Sequence, residues 1–292
     1  MTPAVERVDV HGGRIAVLDW GGSGPTVVLL HPNGFCAGLY EPVATRLVDV
    51  ARVVAVDLPG HGGSTAPADR DGYRFAAMAE RVLAALDQLE IRQPAVVGGS
   101  LGGAVAILAD RLRPGCWTRA LLAEAVAFPA GRMTGPGEAG ENPMAAAARR
   151  RRARFADRAA MVDALSGREP LSQLAPEAME AYARWGTVDD GDGVRLACAP
   201  EVEATVFEVS GEDDGAPAAW AHLPELSCPI TVVAGRDSFL PDMFAEQAQR
   251  AGAELVLVDG GHFVLHEDSV RGAQLIRRHA LAIPGSTATL GR

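Results

Sequence analysis

The chain has 292 residues, 48% of them hydrophobic, a formal net charge of −10, and 27 basic residues that are all arginine. This length is enough for one large core with an insertion. The acidic balance argues against nucleic acid, whose phosphates require a basic footprint, and the lack of lysine excludes Schiff-base chemistry.

At the start of the chain, Met1-Thr2-Pro3-Ala4-Val5-Glu6-Arg7 lacks the basic start and apolar core of a signal peptide. No apolar run reaches the roughly 18 residues needed to span a membrane. Cys36, Cys116, Cys198 and Cys228 lie far apart, without metal or disulfide spacing, so reduced thiols in a cytoplasmic protein are expected. Residues 5–10 and 15–20 predict an antiparallel hairpin turning at His11-Gly12-Gly13. Next, Thr26-Val27-Val28-Leu29-Leu30 runs into His31-Pro32-Asn33-Gly34-Phe35, and Arg52-Val53-Val54-Ala55-Val56 into Asp57-Leu58-Pro59-Gly60-His61. Such strands without polar alternation predict a parallel sheet with helices on both faces, an α/β fold. Phe75, Met78, Ala79, Val82, Leu83, Leu86 and Leu89 recur at helical spacing, giving an amphipathic helix over 75–89.

The apolar run Pro94-Ala95-Val96-Val97 then breaks into Gly98-Gly99-Ser100-Leu101-Gly102-Gly103, with a helix expected over 101–112. A strand turning sharply into a helix with one serine at its tip presents that hydroxyl beside the helix's free N–H groups. After Ala120-Leu121-Leu122-Ala123 comes Glu124, a carboxylate at the end of a buried strand, costly without a partner.

Residues 130–225 break the strand–helix alternation. Residues 131–140 read as a glycine-rich linker, 144–165 as a helical stretch, and Asp189-Asp190-Gly191-Asp192-Gly193 as an acidic turn. Arg149 to Arg152 with Arg154 could bind an anionic substrate group, although such a run is more often a solvated helix face. The alternation resumes at Pro229-Ile230-Thr231-Val232-Val233-Ala234-Gly235, followed by Arg236-Asp237 and Pro241. Glu254-Leu255-Val256-Leu257-Val258 leads into Gly260-Gly261-His262-Phe263, a last helix is expected over 270–281, and the polar tail 285–292 is expected to fray.

Taken together, these motifs resemble the α/β-hydrolase superfamily over most of the chain, and the arginine-only, Ala- and Gly-rich composition suggests GC-rich coding of actinobacterial type. The resemblance implies a mostly parallel sheet with helices on both faces and a helical lid inserted after strand six. It divides the chain into core 1–129, lid 130–225 and core 226–292. It also implies Ser100 as nucleophile and His262 as general base, with Asp237 or Glu124 as the acid that orients it, Asp237 ranked slightly first. Leu101 and Asn33 would donate backbone N–H groups to an oxyanion, because Pro32 has none to give; Gly34 and Phe35 are the fallbacks. His31 and His61 would shape the site, His266 would lie on the surface, and His11, His222 and His279 have no motif around them.

The implied activity is cofactor-free hydrolysis of a carboxylic ester, lactone or thioester through an acyl-enzyme, on a small lipophilic substrate that is free or carried on a protein. A discrete thioesterase of a natural-product pathway and a C–C bond hydrolase use the same residues. A non-catalytic ligand receptor is the alternative outside enzymes. Epoxide hydrolases and dehalogenases are disfavoured, because those relatives place aspartate where Ser100 stands. Substrate identity and oligomeric state are not encoded in these motifs.

Overall fold

Each apolar run becomes a strand, and each strand's alternate residues enter opposite faces of one sheet. The structure is a computed structural model describing residues 2–132 and 142–282. The linker expected at 131–140 falls mostly outside the described residues, and the tail 285–292 wholly so.

In chain order the first elements are β1 (Ala4–Val10), β2 (Gly13–Gly21), β3 (Thr26–Leu30), α1 (Glu41–Ala44) and β4 (Arg52–Val56). They are followed by α2 (Phe75–Gln88), β5 (Ala95–Gly99), α3 (Leu101–Leu112) and β6 (Arg119–Ala123). The intervening segment holds α4 (Pro143–Arg149), β7 (Arg154–Phe155), α5 (Arg158–Leu165), α6 (Pro176–Trp185), β8 (Thr187–Asp190) and β9 (Gly193–Leu196). The chain closes with α7 (Pro200–Ser210), α8 (Ala216–His222), β10 (Ile230–Gly235), α9 (Pro241–Ala251), β11 (Glu254–Val258) and α10 (Ser269–Leu275). The last helix widens into a π-turn over Ile276–Ala280.

The main sheet has eight strands in the order β1-β2-β4-β3-β5-β6-β10-β11. The β1–β2 hairpin is antiparallel and joins β4 antiparallel, while every pairing from β4 to β11 is parallel. Val28, Leu30, Val54, Val56 and Val96 pack with α2 and α3 on one face. Their neighbours Val27, Leu29, Val53, Ala55 and Val97 pack with α1 and α10 on the other. Parallel strands end at the same edge, so the loops after β3, β5, β6, β10 and β11 converge there, where such sheets bind ligands.

The segment between β6 and β10 is less helical than the sequence suggests. The stretch expected as helix over 144–165 is interrupted by β7, whose Phe155 is buried and pairs with Val194 of β9. β7, β9 and β8 form a separate three-stranded antiparallel sheet. Farther on, Val206 and Val209 of α7 and Ala218 and Ala219 of α8 join the main core cluster with α3. The C-terminal part of the 130–225 segment therefore packs as core. Among the described residues no helix is long and apolar enough to cross a membrane.

Candidate active site

Ser100 caps α3 with φ 51° and ψ −113°, a left-handed conformation that L-residues avoid at a cost of about 1–3 kcal/mol. Close packing enforces the bend. A Cβ on Gly102 would lie 2.1 Å from the Leu30 carbonyl oxygen, so only glycine lets α3 start this near β3. Glu124, one strand over, also has φ 51°. The two bends are tied together, because Ser100 N–H donates to Ala123 O at 2.9 Å and Val126 N–H to Ser100 O at 3.0 Å.

The carboxylate of Glu124 is fully buried and accepts three hydrogen bonds. Gly235 N–H donates to Oε1 at 2.8 Å, Ser238 Oγ–H to Oε2 at 2.7 Å, and His262 Nδ1 to Oε2 at 2.6 Å. A buried charge is tolerable only with such a set of donors. Asp237, ranked first from sequence, is exposed; its backbone N–H donates to Gly260 O at 2.9 Å, and its carboxylate makes no bond to His262. The geometry corrects the ranking: Glu124, not Asp237, partners the imidazole. With Nδ1 facing Glu124, His262 Nε2 is the basic nitrogen. Among the described residues neither that atom nor Ser100 Oγ has a hydrogen-bond partner, so both are available to each other or to a substrate.

Residues that the sequence did not single out hold the His262 loop. Glu267 accepts N–H bonds from Gly261 at 2.9 Å and Phe263 at 3.0 Å, while Gln173 from the inserted segment accepts His262 N–H at 3.2 Å. Phe239, 59% exposed, lies with its ring 4.9 Å from the His262 ring, forming an apolar lip beside the imidazole.

Across the site, the loop after β3 leaves the Asn33 N–H open. Gly34 N–H donates to His61 Nε2 at 3.1 Å and Phe35 N–H to Pro32 O at 3.3 Å, which removes both fallback donors. Among the described residues Asn33 N–H and Leu101 N–H have no acceptor.

His31 and His61 are fully buried, and burial pushes both imidazoles down, His61 to about 4. His31 Nδ1–H donates to Pro32 O at 2.8 Å while its Nε2 accepts Leu58 N–H at 3.0 Å, so this neutral ring ties two loops together. His266, expected on the surface, is instead 2% exposed against Tyr40 at 4.6 Å between ring centroids, and burial lowers it to about 3. It lies in the turn between β11 and α10, where no hydrophobic period marks burial. His222 faces the buried Asp110 at 3.3 Å.

The arginine run is mostly occupied within the chain. Arg149 bonds Glu201 and Glu208, Arg151 bonds Glu203 and Tyr182, and Arg152 lies 4.7 Å over the Phe155 ring. Arg154 pairs with Asp190 at 2.6 Å. All four cysteines are free thiols, and among the described residues no His/Cys/Asp/Glu group could hold a metal ion.

The sequence profile of the Alpha/beta hydrolase family matches residues 27–275. The chain belongs to this family. Esterase Rv0045c of Mycobacterium tuberculosis is 40% identical over 112 residues, covering 38% of this chain and 36% of that protein. A pimeloyl-[acyl-carrier protein] methyl ester esterase of Methylococcus capsulatus is 39% identical over 98 residues, 34% of this chain and 36% of that one. The chain thus spans only about a third of the length of these relatives. Among solved structures, a thioesterase domain from the curacin biosynthetic pathway superposes with TM-score 0.79 at 22% identity, covering 95% of this chain and all (100%) of that one. E-2-(acetamidomethylene)succinate hydrolase gives TM-score 0.79 at 21% identity over 95% of this chain and 98% of that one. At those identities the likeness is one of fold, and this hydrolase-family chain shares it over 95% of its length.

Proposed function

We propose that the protein is a serine hydrolase that cleaves a carboxylic ester, lactone or thioester of a small, largely apolar substrate. The observation that carries this reading is the 2.6 Å bond from His262 Nδ1 to the buried Glu124 carboxylate, at the same sheet edge as the strained Ser100 turn. Ser100 Oγ attacks the carbonyl carbon as its proton passes to His262 Nε2, and Glu124 stabilises the imidazolium that forms. Leu101 N–H and Asn33 N–H receive the developing oxyanion, aided by the N-terminus of the twelve-residue helix α3. The protonated His262 gives its proton to the leaving group. A water molecule, deprotonated by the same histidine, then attacks the acyl-serine and frees the acid.

Esterase names among the relatives support this class of bond. The small-molecule form is favoured over a carrier-bound one because Arg149, Arg151, Arg152 and Arg154 already have partners within the chain. The part of the inserted segment ahead of α7, residues 142–199, acts in this reading as a lid that walls off water. The test is labelling with a fluorophosphonate, read by intact mass. One adduct on the wild-type protein and none on Ser100→Ala supports the reading; no adduct on folded wild-type protein overturns it.

A further inference from the structure

The loop that carries Asn33 is gripped from two sides, and one grip comes from the inserted segment. On the core side, His31 Nδ1–H donates to the Pro32 carbonyl at 2.8 Å, and His61 Nε2 accepts Gly34 N–H at 3.1 Å. A trans peptide points its C=O and N–H in opposite directions, so the His31 bond turns Asn33 N–H away from the core.

On the other side, Tyr182 of α6 donates its hydroxyl proton to Gly34 O at 3.0 Å, and Asn33 Nδ2 donates to the carbonyl of Glu203 at 3.0 Å. Arg151 joins these two contacts. Its Nη2 donates to Tyr182 Oη at 3.0 Å and its Nη1 to the Glu203 carboxylate. Both charges are largely withdrawn from water, with side-chain exposures of 21% for Arg151 and 10% for Glu203.

Gly34 fits closely beneath this pair. With φ 79°, it would place a Cβ 2.8 Å from the Glu203 carboxylate and 3.0 Å from Arg151 Nη1. Phe35 and Tyr182 then pack at 4.8 Å between ring centroids, and Phe35 meets Phe263, next to His262, at 5.2 Å.

We propose that Arg151, acting through Tyr182 and Glu203, is a positioning residue that fixes the direction of the Asn33 N–H and so tunes stabilisation of the oxyanion. The proposal rests on the serine-hydrolase reading. An ordinary buried ion pair would join packing surfaces; this one ends on the backbone and side chain of the loop whose Asn33 N–H is left open. Buried pairs of this kind contribute little net stability, so a role in holding geometry is the better account of its presence.

The test uses Tyr182→Phe, which keeps the ring and removes only the hydroxyl, together with Arg151→Met. The readouts are kcat and KM on a p-nitrophenyl ester, and inhibition by a trifluoromethyl ketone, which becomes a tetrahedral oxyanion on a serine. The expected result is kcat down about 10-fold in Tyr182→Phe and about 100-fold in Arg151→Met, KM within about 2-fold, and ketone affinity falling in step with kcat. Unchanged kcat in Tyr182→Phe, or a rise in KM with ketone affinity intact, overturns the proposal while leaving the hydrolase reading in place. Wild-type protein that neither turns over nor labels at Ser100 overturns both.

Discussion

The two halves of this site are built differently. On the core side, Ser100, Glu124 and His262 stand at the ends of β5, β6 and just beyond β11, strands that hydrogen-bond in parallel register and pack helices on both faces. On the side of the inserted segment, Arg151, Gln173, Tyr182 and Glu203 reach the same loops from turns and from α6 and α7, held by ion pairs and by a separate hydrophobic cluster that includes Phe155, Met161, Met179 and Tyr182. On the proposed reading the core fixes where the reacting groups are. The insert, on the same reading, adjusts how two loops point. Chemistry placed on rigid strand ends should respond to substitution all or none, while its adjustment from the insert should respond by degrees.

The largest effect expected from this contrast is on the core side. Ser100→Ala should lower kcat for ester hydrolysis by at least about 10⁴-fold with the fold intact, as judged by unchanged thermal unfolding. Next, Gly102→Ala should destabilise the protein by several kcal/mol, because the added methyl meets the backbone oxygen of Leu30 at 2.1 Å and neither strand nor helix can yield cheaply. Denaturant midpoints would measure it; a loss below about 1 kcal/mol would show that the elbow is looser than the packing implies.

The pH dependence of stability should follow the buried histidines. His31, His61 and His266 have native pKa values pushed below the ordinary 6.5, so the unfolded chain binds more protons than the native one as pH falls below it. Their contribution is whole above pH 6.5 and is lost toward the depressed native values. Asp57, raised to about 6 by burial, and Glu203, also raised by burial, take up protons in the native state and offset part of this loss. His279, also lowered by burial, acts in the same direction as the other three, so the histidines outnumber the two carboxylates and stability falls as pH drops below 6.5. Urea midpoints at pH 7.5, 6.5 and 5.5 would check the slope; a flat profile would contradict it. Smallest of all, Arg113→Ala removes an exposed pair with Asp87 on the outside of the core, at 2.6 Å, and should cost under about 1 kcal/mol in the same assay.

Much of the core side was legible in the sequence. Uninterrupted apolar runs ending in Gly98-Gly99-Ser100-Leu101-Gly102 and Gly260-Gly261-His262 mark both strand ends and what stands on them. The acid was not legible. Glu124 and Asp237 follow neighbouring parallel strands, and a sequence does not show that one carboxylate turns inward to three donors while the other faces water. Nor could it show that His266 is buried, since burial in a turn leaves no periodic trace. The grip of the insert was hidden for a different reason. Arg151, Tyr182 and Glu203 lie 21 to 52 positions apart; Arg151 reads as one member of an arginine run, and the other two read locally as ordinary helix residues. The interruption of 144–165 by β7 was equally silent, because two paired residues are too short a strand to carry an alternation.

The most direct test of the account is the comparison of Glu124→Gln with Asp237→Asn, measured as kcat for an ester and as the rate of fluorophosphonate labelling. Glu124 as the partner of His262 predicts a loss of about 10³–10⁴-fold in Glu124→Gln, with Asp237→Asn within about 2-fold of wild type. A larger loss in Asp237→Asn, with Glu124→Gln near wild type, would contradict it.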